Sequence, residues 1–279
     1  VTGRYAAVRT RDGSWTLAHP EHGETLHSVD GAWVEALERY ARPCRLRERS
    51  AATGRVRLLD VGCGIGLNLA AALAECGDLP LEAVSLEASP EVVRAGLRLP
   101  AGPAAAAPFQ ERTRAALAAA LDAPGRPVPF GTGTLELRLG DARRTLLDVP
   151  AEPRFEAVFL DPFSPAREGA LWEAEFLRAV AERMGETALL STYSAAMAVR
   201  VALVRAGLAV GRGPRVGTKS SGTLASLRGP LPPLDPRTRR RLEARAAREG
   251  AAPAAVQLPH EGCGELGGHK GGEMGSAFA

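Results

Sequence analysis

The 279-residue chain carries 35 Lys or Arg against 32 Asp or Glu, a net charge of +3, with 45% hydrophobic and 24% charged residues, a balance that fits one sizeable globular core. No apolar run nears the ~20 residues needed to cross a bilayer, and residues 1–10 hold arginines with no apolar stretch behind them, which argues against a secretory signal and for the cytoplasm. Cys44, Cys63, Cys76 and Cys263 lack C-x-x-C or Cys/His metal spacing, so neither a disulfide framework nor a bound metal is expected.

Residues 1–54 read as an N-terminal extension with a strand-like piece at 15–18 and a helix from about 30 to 40, for which Ser28 or Asp30 is the expected N-cap. Residues 55–229 then alternate short apolar runs with amphipathic stretches. Strands are expected at 56–61, 81–87, 134–139, 156–161, 187–192, 208–211 and 222–227, and helices at 67–75, 90–97, 170–183 and 195–206. That order implies an α/β fold with a doubly wound seven-stranded sheet. An insertion at about 98–133 holds an alanine-rich helix, 110–121, and then "DAPGRPVPFGTG", read as a loop from its prolines and glycines. Residues 230–279 read as an arginine-rich helix, 238–249, followed by a glycine-rich tail too poor in apolar residues to order itself.

In "LLDVGCGIG" the first strand ends at Asp60 and Val61, and Gly62, Gly64 and Gly66 follow at G-x-G-x-G spacing. Glycines at such a turn let the backbone bend sharply and admit a ligand without a Cβ in the way. The nicotinamide fingerprint would place a small residue at position 67, where Leu67 stands. Glu87 ends the next strand 21 residues after Gly66 (87 − 66), where a carboxylate can accept both hydroxyls of a ribose. An acid before the turn, the glycines within it and an acid ending the second strand together resemble the S-adenosylmethionine-dependent methyltransferases of the Rossmann-like class I. The resemblance implies S-adenosylmethionine as cofactor, Asp60 helping to fix its amino-acid end, and Asp141 of "RLGDAR" contacting the adenine.

Beyond the fourth strand, "VFLDPFSPAREGALWEAEF" places Asp161, Phe163, Pro165, Trp172 and Phe176 at fixed intervals, and Thr192, Tyr193, Ala196 and Arg200 follow in "STYSAAMAVR". This set, with Lys219 in "GTKSSGTLAS" and the early segment "DGSWTLAHPEHGETLHSVDGAWVEAL", resembles the methyltransferase domain of the tRNA 5-methylaminomethyl-2-thiouridine biosynthesis family over roughly residues 10–228. The resemblance implies a stand-alone form that methylates the primary amine of 5-aminomethyl(-2-thio)uridine at the tRNA wobble position, with tRNA as partner and any oxidase step left to a separate protein. Asp161, at the sheet edge where open α/β folds bind ligands, is the candidate catalytic group: a carboxylate there can orient an amine and accept its proton. Phe163, Tyr193, His27, Ser28 and Lys219 are candidates for the substrate side.

Each of these residues has a plainer reading. An Asp-Pro pair also begins turns, a histidine beside a serine also serves as a structural hydrogen-bonder, and Trp172 with Phe176 reads as core packing. The arginines at 237–248 read equally as a solvated helix face. "DPFS" also distantly resembles the Asp-Pro-Pro-Tyr loop of amino-methyltransferases acting on other nucleobases or on glutamine, and aminopropyl transfer is a further reaction found on this fold. A non-catalytic, cofactor-binding RNA partner is the alternative from a different functional class.

Overall fold

A computed structural model describes residues 5–20, 23–217 and 221–250. The chain opens with a hairpin of β1 (Ala6–Arg9) and β2 (Trp15–Ala18). Next come the short helix α1 (Ala32–Glu35), a π-helical turn Ala36–Ala41 that continues it, and α2 (Leu46–Thr53). Neither Ser28 nor Asp30 caps α1. Its free amides are instead met from the hairpin turn: Trp33 N donates to Ser14 Oγ at 3.1 Å and Val34 N to Asp12 Oδ2 at 3.0 Å. Ser28 Oγ accepts from the Asp30 amide in the preceding turn. A cap supplied by residues about 20 positions upstream leaves no local sequence mark.

The main sheet is built from β3 (Val56–Val61), β4 (Leu81–Glu87), β5 (Pro127–Phe130), β6 (Gly133–Leu139), β7 (Phe155–Leu160), β8 (Met184–Thr192), β9 (Ala209–Arg212) and β10 (Thr223–Ser226), in the order β5-β6-β4-β3-β7-β8-β10-β9. The five strands from β6 to β8 are parallel, β10 runs antiparallel between β8 and β9, and β5 is antiparallel at the other edge. The seven expected strands are therefore present in a doubly wound sheet, with β5 added as an eighth. β5 lies in the segment read as a loop. Its Pro127 and Pro129 are exposed while Val128 and Phe130 point inward, the arrangement in which an edge strand tolerates residues without an N–H.

Alternate residues of the central strands feed two apolar layers. Leu58, Leu137 and Phe159 share one layer with residues of α3 (Leu67–Cys76) and with Trp33 and Tyr40 of the N-terminal helices. Leu59, Val158 and Leu160 face α7 (Ala174–Ala181) and α8 (Met197–Arg205). The other helices are α4 (Pro90–Leu97), α5 (Ala107–Asp122), α6 (Ala142–Thr145) and α9 (Pro236–Arg248). The helix expected over 170–183 is broken into a 3-10 turn, Gly169–Trp172, and α7; Trp172 and Phe176 are both buried in the second layer, as their core reading required. Leu242 and Ala246 of α9 pack on Val201 and Val204 of α8.

Cys44, Cys63 and Cys76 are buried free thiols, and Cys263 with the glycine-rich tail lies outside the described residues. Among the described residues no helix is long and apolar enough to cross a membrane. The chain passes from β3 through α3 to β4 on one side and returns to β7 on the other, so the strand order reverses between β3 and β7. Crevices of open α/β sheets form at the carboxyl ends of the strands flanking such a reversal.

Candidate active site

A cavity of about 650 Å³ opens at those strand ends, within the size range of sites that enclose a cofactor-sized molecule. Of the residues singled out from sequence, Gly62, Gly64, Glu87, Asp141, Asp161, Phe163, Tyr193 and His27 line it. Asp60, Gly66 and Ser28 do not line it, and Lys219 falls outside the described residues.

The glycines serve different ends. Gly62 has φ +91°, and a Cβ there would stand 2.6 Å from the Asp161 carbonyl oxygen, so its bareness lets β3 and β7 approach at the cavity floor. Gly64, at φ +55°, faces near-open space, the nearest atom being Leu26 Cδ1 at 4.0 Å. Gly66 begins α3, and a Cβ on it would meet Leu117 Cδ1 of α5 at 2.4 Å; its role is helix packing.

Glu87 ends β4 with Oε2 accepting from Gly64 N at 2.7 Å and Oε1 from Ser89 N at 2.9 Å. The carboxylate thereby ties the glycine turn to the start of α4, and each oxygen keeps a second lone pair for a ligand hydroxyl. Burial raises its pKa, against which the Ser89 and Gly64 amides act. Replacing Glu87 with Ala is expected to weaken S-adenosylhomocysteine binding by roughly tenfold or more, the loss of about 1.5–3 kcal/mol from hydrogen bonds to a charged acceptor; calorimetry showing unchanged affinity would remove Glu87 from the cofactor site.

Asp60 is fully buried beneath the turn and accepts from Ser85 Oγ at 2.7 Å, while its Oδ1 has no hydrogen-bond partner. Burial first, and the neighbouring Glu87 charge, push its pKa up to about 7 against the Ser85 hydrogen bond. Asp141 caps α6 by accepting from Arg143 N at 3.0 Å and is gripped by the Arg143 guanidinium at 2.6 Å. That guanidinium holds its pKa below the usual carboxylate range.

Asp161 follows β7. Its Oδ1 accepts from the Tyr40 hydroxyl and its Oδ2 from Asn68 Nδ2 at 2.8 Å. Burial, and secondarily the charge of Glu35, raise its pKa to about 8 although both hydrogen bonds oppose the shift. The side chain makes no hydrogen bond to the backbone of the following turn, so its role there is not that of a turn former. Glu35 also lines the cavity, and its Oε2 accepts from the Ser28 amide at 2.7 Å.

The loop after Asp161 is pinned from three directions. Phe163 N donates to Glu168 Oε2 at 2.8 Å, Trp172 Nε1 donates to Phe163 O at 2.8 Å, and the Tyr193 hydroxyl donates to Pro162 O at 3.2 Å. Trp172 meets Tyr193 edge-on with ring centroids 5.8 Å apart, and Phe163 meets His19 edge-on at 5.2 Å. His27 lines the cavity, its amide held by Thr16 Oγ1 at 3.0 Å.

Tyr40, Asn68, Glu35 and His19 were not singled out from sequence. Asn68 had a legible signal, a lone amide in the apolar run "LNLAAAL" directly after the glycine turn. Tyr40 had none, because its partner stands 121 positions away.

The residues present fit S-adenosylmethionine: bare glycines, Gly62 and Gly64, on the cavity wall, an acid, Glu87, at the second strand end beside them, and a buried carboxylate oxygen of Asp60 without a partner below the turn. Residues 114–228 match the family model described as S-adenosyl-L-methionine-dependent methyltransferase. The chain is 30% identical over 221 residues to the uncharacterized protein MJ0670 of Methanocaldococcus jannaschii, matching 79% of this chain and 59% of that protein. It is 33% identical to the tRNA 5-methylaminomethyl-2-thiouridine biosynthesis bifunctional protein MnmC of Burkholderia vietnamiensis over 77% of this chain and 34% of that one; the chain thus spans about a third of the bifunctional relative's length. The crystal structure of MNMC2 from Aquifex aeolicus superposes with a TM-score of 0.73 at 31% identity, covering 86% of this chain and 75% of that one. The chain belongs to the family of S-adenosylmethionine-dependent methyltransferases that includes MNMC2 of Aquifex aeolicus.

Proposed function

We propose that this methyltransferase transfers a methyl group to the primary amine of 5-aminomethyl(-2-thio)uridine at the wobble position of tRNA, giving the methylaminomethyl form. The observation that carries the reading is the Asp161 carboxylate, held at the floor of the cavity beside the glycine turn by two neutral donors. The name of the Burkholderia relative, whose likeness spans most of this chain, supplies the substrate class. Residues 55–229 form the catalytic domain in this reading, 1–54 complete its site, and 230–279 lie outside it. A reaction on tRNA places the enzyme in the cytoplasm, with another protein providing the aminomethyl group.

Gly62, Gly64, Glu87 and Asp141 would hold the cofactor, with Asp60 supporting the turn from below. S-adenosylmethionine supplies an electrophilic methyl group on a sulfonium sulfur. Only an unprotonated amine has the lone pair to attack it, and an alkyl ammonium has a pKa of about 10. An ordinary aspartate lies roughly 6 units below that, an uphill proton transfer of about 8 kcal/mol; a carboxyl raised to about 8 leaves roughly 2 units, or about 3 kcal/mol. Burial of Asp161 thus makes it a base matched to an amine. Phe163, Tyr193 and His27, which line the cavity with Asp161, would face the uracil; Lys219, outside the described residues, is a further candidate for the substrate side.

The test is a transfer assay with labelled S-adenosylmethionine and a panel of tRNAs. Label is expected in tRNA carrying the aminomethyl uridine and absent from the same tRNA without it. Cofactor binding with no label in the aminomethyl tRNA would remove the reading.

A further inference from the structure

We propose that Tyr40 and Asn68 are positioning residues for the methyl-transfer base: they hold the two oxygens of Asp161 against the cavity, which makes the π-helical turn of the N-terminal extension part of the catalytic unit. The inference rests on the proposed role of Asp161. Each oxygen takes one hydrogen bond from a neutral donor, and the donors come from two different elements, the turn Ala36–Ala41 and the first turn of α3. Both donors are almost wholly buried, Tyr40 at 1% and Asn68 at 2% exposure, so neither competes with water for the carboxylate. The Tyr40 ring is braced on Phe159 of β7 at 5.6 Å between centroids, the strand that carries Asp161.

The π geometry is what brings Tyr40 to that point. One residue is added per turn relative to an α-helix, which rotates the side chains beyond it, and such turns concentrate at functional sites. The extension is fastened in place by Glu75 of α3, which pairs with Arg42 at 3.0 Å and Arg47 at 3.2 Å, and by Ser191 Oγ of β8, which donates to the Arg39 carbonyl.

The proton balance defines what these donors do. The ammonium would pass a proton to the Asp161 carboxylate and the freed amine take the methyl group as the bond from that methyl to the sulfonium sulfur breaks, the electron pair staying on sulfur in the departing S-adenosylhomocysteine; the product leaves as a secondary ammonium while Asp161 returns its proton to solvent. Two donors to the carboxylate favour its ionised form and counter the charges of Glu35 and Asp60, which favour the protonated one. Further ionisable groups line the cavity, among them Glu24, His27, Glu87, Arg167, Glu168 and Tyr193. Without Tyr40 the carboxylate keeps its burial and its acidic neighbours and loses one of its two counterweights.

The experiment pairs a pH profile with a direct titration. In Tyr40→Phe, the acid limb of kcat/KM for tRNA methylation is expected to move up by about one unit or more, so that the rate at pH 7 falls roughly tenfold and recovers as the pH rises. S-adenosylhomocysteine affinity should stay within about twofold. Carbon-13 NMR of the Asp161 carboxyl, which needs no substrate, should show its midpoint rising in the same variant. Asn68→Ala should move both in the same direction and serves if Tyr40→Phe does not fold. A folded variant with an unchanged Asp161 midpoint and an unchanged pH profile would overturn the proposal. If the midpoint rises in the variant while the wild-type protein methylates no tRNA, the positioning role stands and the substrate assignment falls.

Discussion

Asp161→Asn should abolish turnover, by about 10²–10⁴ in kcat, and at the same time stabilise the protein above neutral pH. The first effect follows from removing the proposed proton acceptor, since an amide has no basic site for an ammonium proton. The second follows from linkage. The folded-state pKa of Asp161 is raised from 3.8 to about 8, so between those values the native state binds more protons than the unfolded chain, and stability falls as pH rises through that window. The neutral amide escapes this cost. It also keeps both partners once the Asn68 amide turns over: its oxygen accepts from Tyr40 and its NH₂ donates to Asn68 Oδ1 in place of the present Asn68 Nδ2 bond. A gain of about 1 kcal/mol or more is expected at pH 9, a rise of roughly 2–4 °C in Tm, shrinking toward zero at pH 4. Asp161→Asn with normal turnover, or with a lower Tm than wild type at pH 9, would contradict the assignment of Asp161 as a base of raised pKa.

Gly62→Ala should be among the most damaging single-methyl additions in the molecule. The new Cβ would lie 2.6 Å from the Asp161 carbonyl oxygen, 2.9 Å from its carbonyl carbon and 3.1 Å from Pro162 N, on a backbone with φ +91°. All three atoms are backbone, so relief requires β3 and β7 to part at the cavity floor. Strain of this kind with overpacking costs about 3 kcal/mol or more, a loss of roughly 6–12 °C in Tm, and S-adenosylhomocysteine affinity should fall with it. Gly169→Ala, where a Cβ meets nothing within 4 Å and φ is ordinary, is the control and should leave Tm within about 1 °C. Equal Tm values for the two variants would mean that the close approach of the strands is not what Gly62 provides.

Much of the fold was legible because the parallel strands are short apolar runs that end in chemistry. Strands 56–61 and 81–87 stop at a glycine turn and at an acid, and both have the same bounds in the structure. The features that escaped notice are those whose cause is tertiary. Pro127 and Pro129 read as loop residues and become an edge strand only because β6 supplies a partner. The apolar spacing of Leu171, Phe176, Val180 and Met184 continues across the break after Trp172, since burial against the sheet repeats there whether or not the helix does.

The candidate site divides in the same way. Asp161, Gly62 and Glu87 stand at strand ends, so the topology that places strands also places them. Tyr40 reaches Asp161 from behind the cavity, from the extension, and nothing local in the sequence marks it. Ser28, named beside His27 for the substrate side, supports the cavity from behind through its amide to Glu35, because the chain turns between the two residues and sends only His27 inward.

The central claim is that this cavity directs a methyl group onto a side-chain amine of tRNA, and nucleoside mass spectrometry after complete digestion of the reacted tRNA tests it most directly. Label is expected in 5-methylaminomethyl uridine or its 2-thio form, carried on the side-chain nitrogen. Label on a ring nitrogen, on another base or on a ribose oxygen, with the aminomethyl uridine left unmodified, would contradict it.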